Sequence, residues 1–214
     1  MRHRAKPWGD AEMAQSPCFI NNPTEHLGRW QNLFASASPI HLEIGCGKGG
    51  FIVQSALARP DINFIGLEKE EQILVMALRL AKEHELPTNL LFTCADANWL
   101  ADCFDQNELE RVYLNFSDPW RSRGKWRKRR LTHGLFLNTY ETIMKHPCIH
   151  FKTDDRRLFH FSIAQFELAG WQLSAVTDDL HNSPYAIGNI QTEYEQRFMG
   201  LGKPICRLEA TKEK

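Results

Sequence analysis

The chain has 214 residues, 43% of them hydrophobic and 11% aromatic, which is the length of one domain with enough apolar material for a sizeable core. It carries 26 basic and 26 acidic residues, so a uniformly basic nucleic-acid coat is excluded, and any cationic surface must be local. No run of about 18 apolar residues occurs, which argues against a membrane-spanning helix.

The opening, Met1-Arg2-His3-Arg4-Ala5-Lys6-Pro7-Trp8, is basic but no apolar stretch follows it, unlike a secretory leader, so a cytoplasmic location is expected. Residues 1–38 read as an N-terminal appendage with an amphipathic stretch near Leu27–Phe34, and 39–214 as the main domain. Ile40–Ile44 reads as a strand ending in glycines, Phe51–Leu57 as a helix, Ile62–Leu67 as a strand and Ile73–Ala81 as a helix. Leu90–Cys94, Val112–Phe116 and Cys148–Lys152 are further strands, with helical spacing at Leu135–Met144 and Leu158–Leu168. Trp171–Val176 and Ile205–Leu208 complete seven strands. Such alternation predicts an α/β fold, a mostly parallel sheet with helices on both faces. The six cysteines, Cys18, Cys46, Cys94, Cys103, Cys148 and Cys206, contain no C-x-x-C pair. They read as buried free thiols, and no metal site is expected.

The first strand runs into Glu43-Ile44-Gly45-Cys46-Gly47-Lys48-Gly49-Gly50. Gly45, Gly47 and Gly50 satisfy G-x-G-x-x-G, a turn that lets a ligand approach the backbone, but the match alone does not choose the ligand. Glu43 does discriminate. A carboxylate two residues before the first glycine repels a pyrophosphate, whereas it suits the ammonium and sulfonium charges of S-adenosylmethionine. Glu68, ending the second strand, is placed to accept from ribose hydroxyls of either cofactor. Asp96 follows the third strand where an adenine amino group would be met.

The fourth strand leads into Ser117-Asp118-Pro119-Trp120, and seven of the ten residues from Arg121 to Arg130 are Arg or Lys. Arg121, Lys125, Arg127, Lys128, Arg129 and Arg130 are candidates for phosphate contacts, and Trp126 for stacking on a base or ribose. Trp120, Phe116 and Tyr194 are further stacking candidates. A structural hydrogen bond is the expected task of His133 and His181.

These segments resemble the bacterial tRNA (guanine-N7-)-methyltransferase family. The likeness lies in His41–Gly49, Pro60–Glu68, Tyr113–Trp120, Lys128–His133, Phe151-Lys152-Thr153-Asp154, Asp179–Asn182 and Thr192-Glu193-Tyr194-Glu195. The opening eight residues are similar to its Gram-positive branch. The resemblance implies a Rossmann-like class I S-adenosylmethionine-dependent methyltransferase acting on tRNA, with the variable-loop guanosine as target; the sequence leaves monomer or homodimer open. By position it places the methyl donor on Glu43, Glu68, Asp96 and Asp118, beside the turn glycines Gly45 and Gly47, and the catalytic role on Asp118. Substrate contacts fall to Asp154, Thr192, Glu193, Tyr194 and Glu195. Members usually have Pro after the Trp and Lys two residues beyond it; here Arg121 and Ser122 stand there and the loop is one residue longer. The loop's substrate contact is thus open between Ser122 and the flanking Arg121 and Arg123.

Three other readings compete. Ser117-Asp118-Pro119-Trp120 loosely resembles the signature of enzymes that methylate exocyclic amino groups, but has one Pro where they have two. A nicotinamide-dependent oxidoreductase would use the glycine pattern, against Glu43. A non-enzymatic RNA-binding module would explain the basic loop and leave the acidic strand ends without a task.

Overall fold

The structure is a computed structural model that describes residues 8–121 and 124–213. It consists of two compact units, Met1–Asp105 and Gln106–Lys214.

The first unit contains α1 (Trp8–Gln15), β1 (Phe19–Ile20), β2 (Ile40–Ile44), α2 (Gly50–Ala58), β3 (Asn63–Glu68), α3 (Glu71–Glu83), β4 (Leu90–Cys94) and a short α4 (Leu100–Cys103). Its strands are parallel in the order β1-β4-β3-β2. Every residue of β2 and β3 is buried, as expected for parallel strands covered on both faces. Helix α3 buries Leu74, Val75, Ala77, Leu78 and Ala81, one apolar stripe at helical spacing, while its exposed Arg79 makes a bidentate pair with Glu12 of α1 at 2.7 Å. Asn89 ties α2 to the sheet: its amide reaches the carbonyls of Ala56, Arg59 and Ile62 at 3.1, 3.1 and 2.8 Å.

Described residues before Ile40 are built into this unit. Phe19 and Ile20 pair with Phe92 and Thr93 as an additional edge strand. Trp30 is fully buried, stacks on Phe104 with centroids 5.2 Å apart, and donates its indole N–H to the Cys103 carbonyl at 2.7 Å.

The second unit contains β5 (Arg111–Asn115), α5 (Gly134–Ile143), β6 (Cys148–Thr153), α6 (Arg156–Leu168), β7 (Gln172–Thr177), α7 (Glu193–Gly200) and β8 (Cys206–Thr211). The strand order is β5-β6-β8-β7; β5 and β6 are parallel, and β8 is antiparallel to both neighbours. At the edge, β7 alternates exposed and half-buried residues and carries a bulge between Ser174 and Thr177, with Ala175 at φ 49°. Bulges of this kind blunt an edge against further pairing.

The α/β class and mostly parallel sheet agree with the sequence. The strand count does not: the described residues form eight strands, four in each unit, where seven were expected. The additional one is β1, whose two residues are too few to show any periodicity.

Candidate functional site

In the first unit the candidate donor residues lie at the carboxyl ends of β2, β3 and β4. Gly45 and Gly47 turn the chain after β2 with φ of 76° and 58°, a region other residues enter only with strain. The amides of Gly45 and Cys46 both donate to the Leu67 carbonyl, at 2.7 and 3.1 Å, so the end of β2 is hooked onto the end of β3. A Cβ placed on Gly45 or Gly47 would meet nothing within 4 Å, so open space borders the turn.

Glu68 completes that hook. It is buried, and its Oε2 accepts from the Gly47 amide at 3.1 Å while Oε1 accepts from the Lys69 and Glu70 amides at 2.8 and 3.1 Å. Three backbone amides on one carboxylate leave about one of the four lone-pair directions for a ligand hydroxyl. Glu43 is 2% exposed, deep enough that a cationic neighbour is strongly favoured. Asp96 is half-buried and caps the turn Ala97–Trp99, accepting from the Asn98 amide and side chain at 2.9 and 2.5 Å. Acidic strand ends beside an open glycine turn fit a cationic nucleoside ligand.

In the second unit β5 stops at Asn115 because the next residue, Phe116, adopts φ 53°; Trp120 follows at φ 41°. Left-handed conformations at bulky residues cost about 1–3 kcal/mol each and concentrate at functional sites. Between them Asp118 is exposed to solvent. The Phe116 amide donates to the Lys152 carbonyl at 2.9 Å, and its ring stacks on Tyr194 at 6.2 Å and lies 6.1 Å from Phe198. Asp154, just beyond β6, is half-buried.

The four-residue motif at 192–195 divides in two. Thr192 is the buried N-cap of α7, accepting from the Glu195 amide at 3.0 Å, and the Glu195 side chain is fully buried. Glu193 and Tyr194 are exposed. Lys152 lies against Glu195, its Nζ 2.8 Å from Oε2. His181 sits 3.4 Å from the other oxygen of Glu195, and His133 caps α5 through Nδ1, accepting from the Leu135 amide at 3.2 Å. Burial and the nearby Lys128 hold His133 below the ordinary histidine pKa, in the direction that favours the accepting ring.

The basic loop is partly self-tethered. Arg130 is 8% exposed, donates to the carbonyls of Pro119 and Trp120 at 2.9 and 3.3 Å, and packs over the Phe161 ring. Arg121 pairs at 3.0 Å with Asp155, which caps α6. Trp120 and Trp126 stack 5.4 Å apart with the Arg129 guanidinium over both. Arg127, Lys128 and Arg129 are exposed. Ser122, Arg123 and the side chain of Lys125 lie outside the described residues.

Sequence reasoning missed Lys152, Asn189 and the whole of α7. The signal for the helix was present: Thr192-x-x-Glu195 has the spacing of a capping box. Lys152 was detectable as a cation at the end of a strand whose Ile149 and Phe151 alternate with polar residues.

Residues 37–208 match the family described as "Putative methyltransferase". The chain is 48% identical to the tRNA (guanine-N(7)-)-methyltransferase of Listeria welshimeri, with 98% of both chains covered. It is 46% identical to that of Bacillus subtilis, again over 98% of each. Its fold is similar to that of a solved antibiotic-related methyltransferase, with a TM-score of 0.63 at 15% identity over 94% of this chain and 98% of that one. With its acidic strand ends, glycine turn and the Asp118 turn in place, the chain belongs to the bacterial tRNA (guanine-N(7)-)-methyltransferase family.

Proposed function

We propose that the protein transfers a methyl group from S-adenosylmethionine to N7 of a guanosine in tRNA, the variable-loop guanosine by family resemblance. The reading is carried by one observation: identity of 46–48% to enzymes of that name spans essentially the whole chain. The nicotinamide and non-enzymatic readings find no support in that kinship. The donor, when bound, supplies an electrophilic methyl on a sulfonium.

Guanine N7 has a free lone pair and no proton at neutral pH, so the attack needs no general base. The protein's residues therefore bind and orient. Glu43, Glu68 and the Gly45–Gly47 turn hold the donor, with Asp96 at its adenine end. Asp118, Asp154 and Glu193 accept from the guanine N1–H and N2 amino group, which aligns N7 and favours the positive charge that grows on the ring. Orientation of this kind is worth roughly 7–11 kcal/mol as effective molarity. Tyr194 and Trp120 offer faces for the extruded base. Arg127, Lys128 and Arg129 bind phosphates, and Arg121 and Arg130 shape the loop that presents them. Thr192 and Glu195 act through the placement of their exposed neighbours. Ser122, Arg123 and Lys125 complete the loop's contacts with the RNA. Transfer RNA is the macromolecular partner and the cytoplasm the compartment. Among the described residues no helix is long and apolar enough to cross a membrane.

Asp118→Ala tests the assigned role. Because the side chain is exposed, melting temperature should hardly change, while turnover on unmodified tRNA drops by about 100-fold or more. Near-native turnover would refute it.

A further inference from the structure

Lys152 stands on β6 between two segments of the proposed base site. Its carbonyl accepts the Phe116 amide at 2.9 Å, two residues before Asp118. Lys152 is 5% exposed, and its ammonium has three acceptors: Glu195 Oε2 at 2.8 Å, the Ile190 carbonyl at 2.9 Å and Asn189 Oδ1 at 3.1 Å. An ammonium has three donors, so every proton is placed. Glu195 is equally committed. Its Oε1 takes the Asn189 side chain at 2.5 Å and lies 3.4 Å from His181 Nε2.

In an ordinary capping box the acid reaches back to its own N-cap amide. Here the Thr192 half of the box is made and the Glu195 carboxylate has gone to Lys152 instead. That choice orients the first turn of α7. It sets Tyr194 and Phe198 against Phe116, the residue whose left-handed backbone starts the Asp118 turn.

We infer that Lys152 is a positioning residue for the methyl acceptor, and that Glu195 serves as its buried counter-ion and does not contact the guanine itself. The pair locks the Phe116–Asp118 turn to the Thr192–Tyr194 turn, so that the acceptors for the base edge and the ring that stacks on it keep one spacing. The inference rests on the guanine-N7 transfer proposed above, since it names what orients that base. Neither side chain can swing away without loosening both turns. A buried ion pair of this completeness is tolerated where it fixes one arrangement among several that apolar packing would allow.

Three variants decide it: Lys152→Met, Glu195→Gln and the two together. Each is measured for kcat and KM on unmodified tRNA per folded molecule, for S-adenosylmethionine affinity by calorimetry, and for amide hydrogen exchange across residues 189–200. Both singles should lower kcat by about 100-fold, the loss typical of an ångström-scale misplacement, with donor affinity unchanged and exchange across 189–200 accelerated. The double variant leaves no buried charge unmatched, so it should fold at least as well as Lys152→Met yet be no more impaired than either single, the mark of one coupled unit. Native kcat in folded Lys152→Met, or in the double variant, overturns the inference. So does unchanged exchange across 189–200. Turnover abolished by Glu195→Gln but kept by Lys152→Met overturns it too, because that pattern makes Glu195 a base contact. Absence of N7 transfer by the native protein would instead defeat the proposed function, and the exchange measurement would still judge the clamp.

Discussion

Glu68 holds the glycine turn through the Gly47 amide and its own following turn through the Lys69 and Glu70 amides, which leaves little capacity on that carboxylate for the ribose proposed to meet it. Glu68→Gln keeps the shape but sets an NH2 group against a backbone N–H, leaving about 1–3 kcal/mol unsatisfied. Affinity for S-adenosylmethionine, measured by calorimetry, should fall by about tenfold or more, with tRNA affinity held. An unchanged dissociation constant would show that the hook is dispensable. The cations of the loop separate in the same way. Lys128 is exposed and available to a phosphate, so Lys128→Ala should reduce the salt dependence of tRNA binding by about one counterion. Arg130 spends its guanidinium on Pro119, Trp120 and Phe161. Arg130→Ala should therefore leave the salt slope unchanged while lowering turnover through a displaced Trp120. Equal losses of slope in both variants would place Arg130 on the phosphates after all. Sequence alone could not make this distinction, because one run of seven cations looks alike until each partner is known.

At the scale of elements, α2 and α3 meet where Gly49 caps the former. Its φ is 86°, and a Cβ there would lie 2.8 Å from Ala77 Cβ on α3. Gly49→Ala should thus cost about 1–3 kcal/mol and lower the melting temperature by several degrees, as measured by calorimetry; a neutral effect would mean that α3 shifts freely. The central strands were legible because apolar residues recur along them at strand spacing, continuously in Leu90–Phe92 and alternately in Ile40–Ile44 and Ile149–Phe151: Ile40–Ile44, Leu90–Cys94 and Cys148–Lys152 all lie within a residue of their observed bounds. The fourth strand was expected to reach Phe116 and ends one residue short, since the ring's partners on α7 and the left-handed turn override its strand propensity. Strand β1 and helix α7 were not legible from periodicity. The first has two residues, and the second buries only Glu195, a residue no hydrophobic pattern would select.

Over the whole molecule, the strand-end positions of the candidates Glu43, Glu68, Asp96 and Asp118 were legible in the sequence because glycine and acidic residues interrupt apolar runs there, where α/β folds bring chemistry together. The Lys152–Glu195 pair was not, because its partners are 43 residues apart and only the folded chain brings them together. The six cysteines are free, as the sequence implied. Burial pushes Cys94, Cys103 and Cys206 each up to about 11, so they are protonated and inert near neutral pH. Methyl transfer is therefore assigned to bound donor and aligned base, with no protein nucleophile. The most direct test is incubation with unmodified tRNA and methyl-labelled S-adenosylmethionine, followed by nuclease digestion and mass spectrometry of the nucleosides. The expected result is label in 7-methylguanosine at one guanosine of the tRNA; label on an exocyclic amino group, or none on RNA at all, would contradict the assignment.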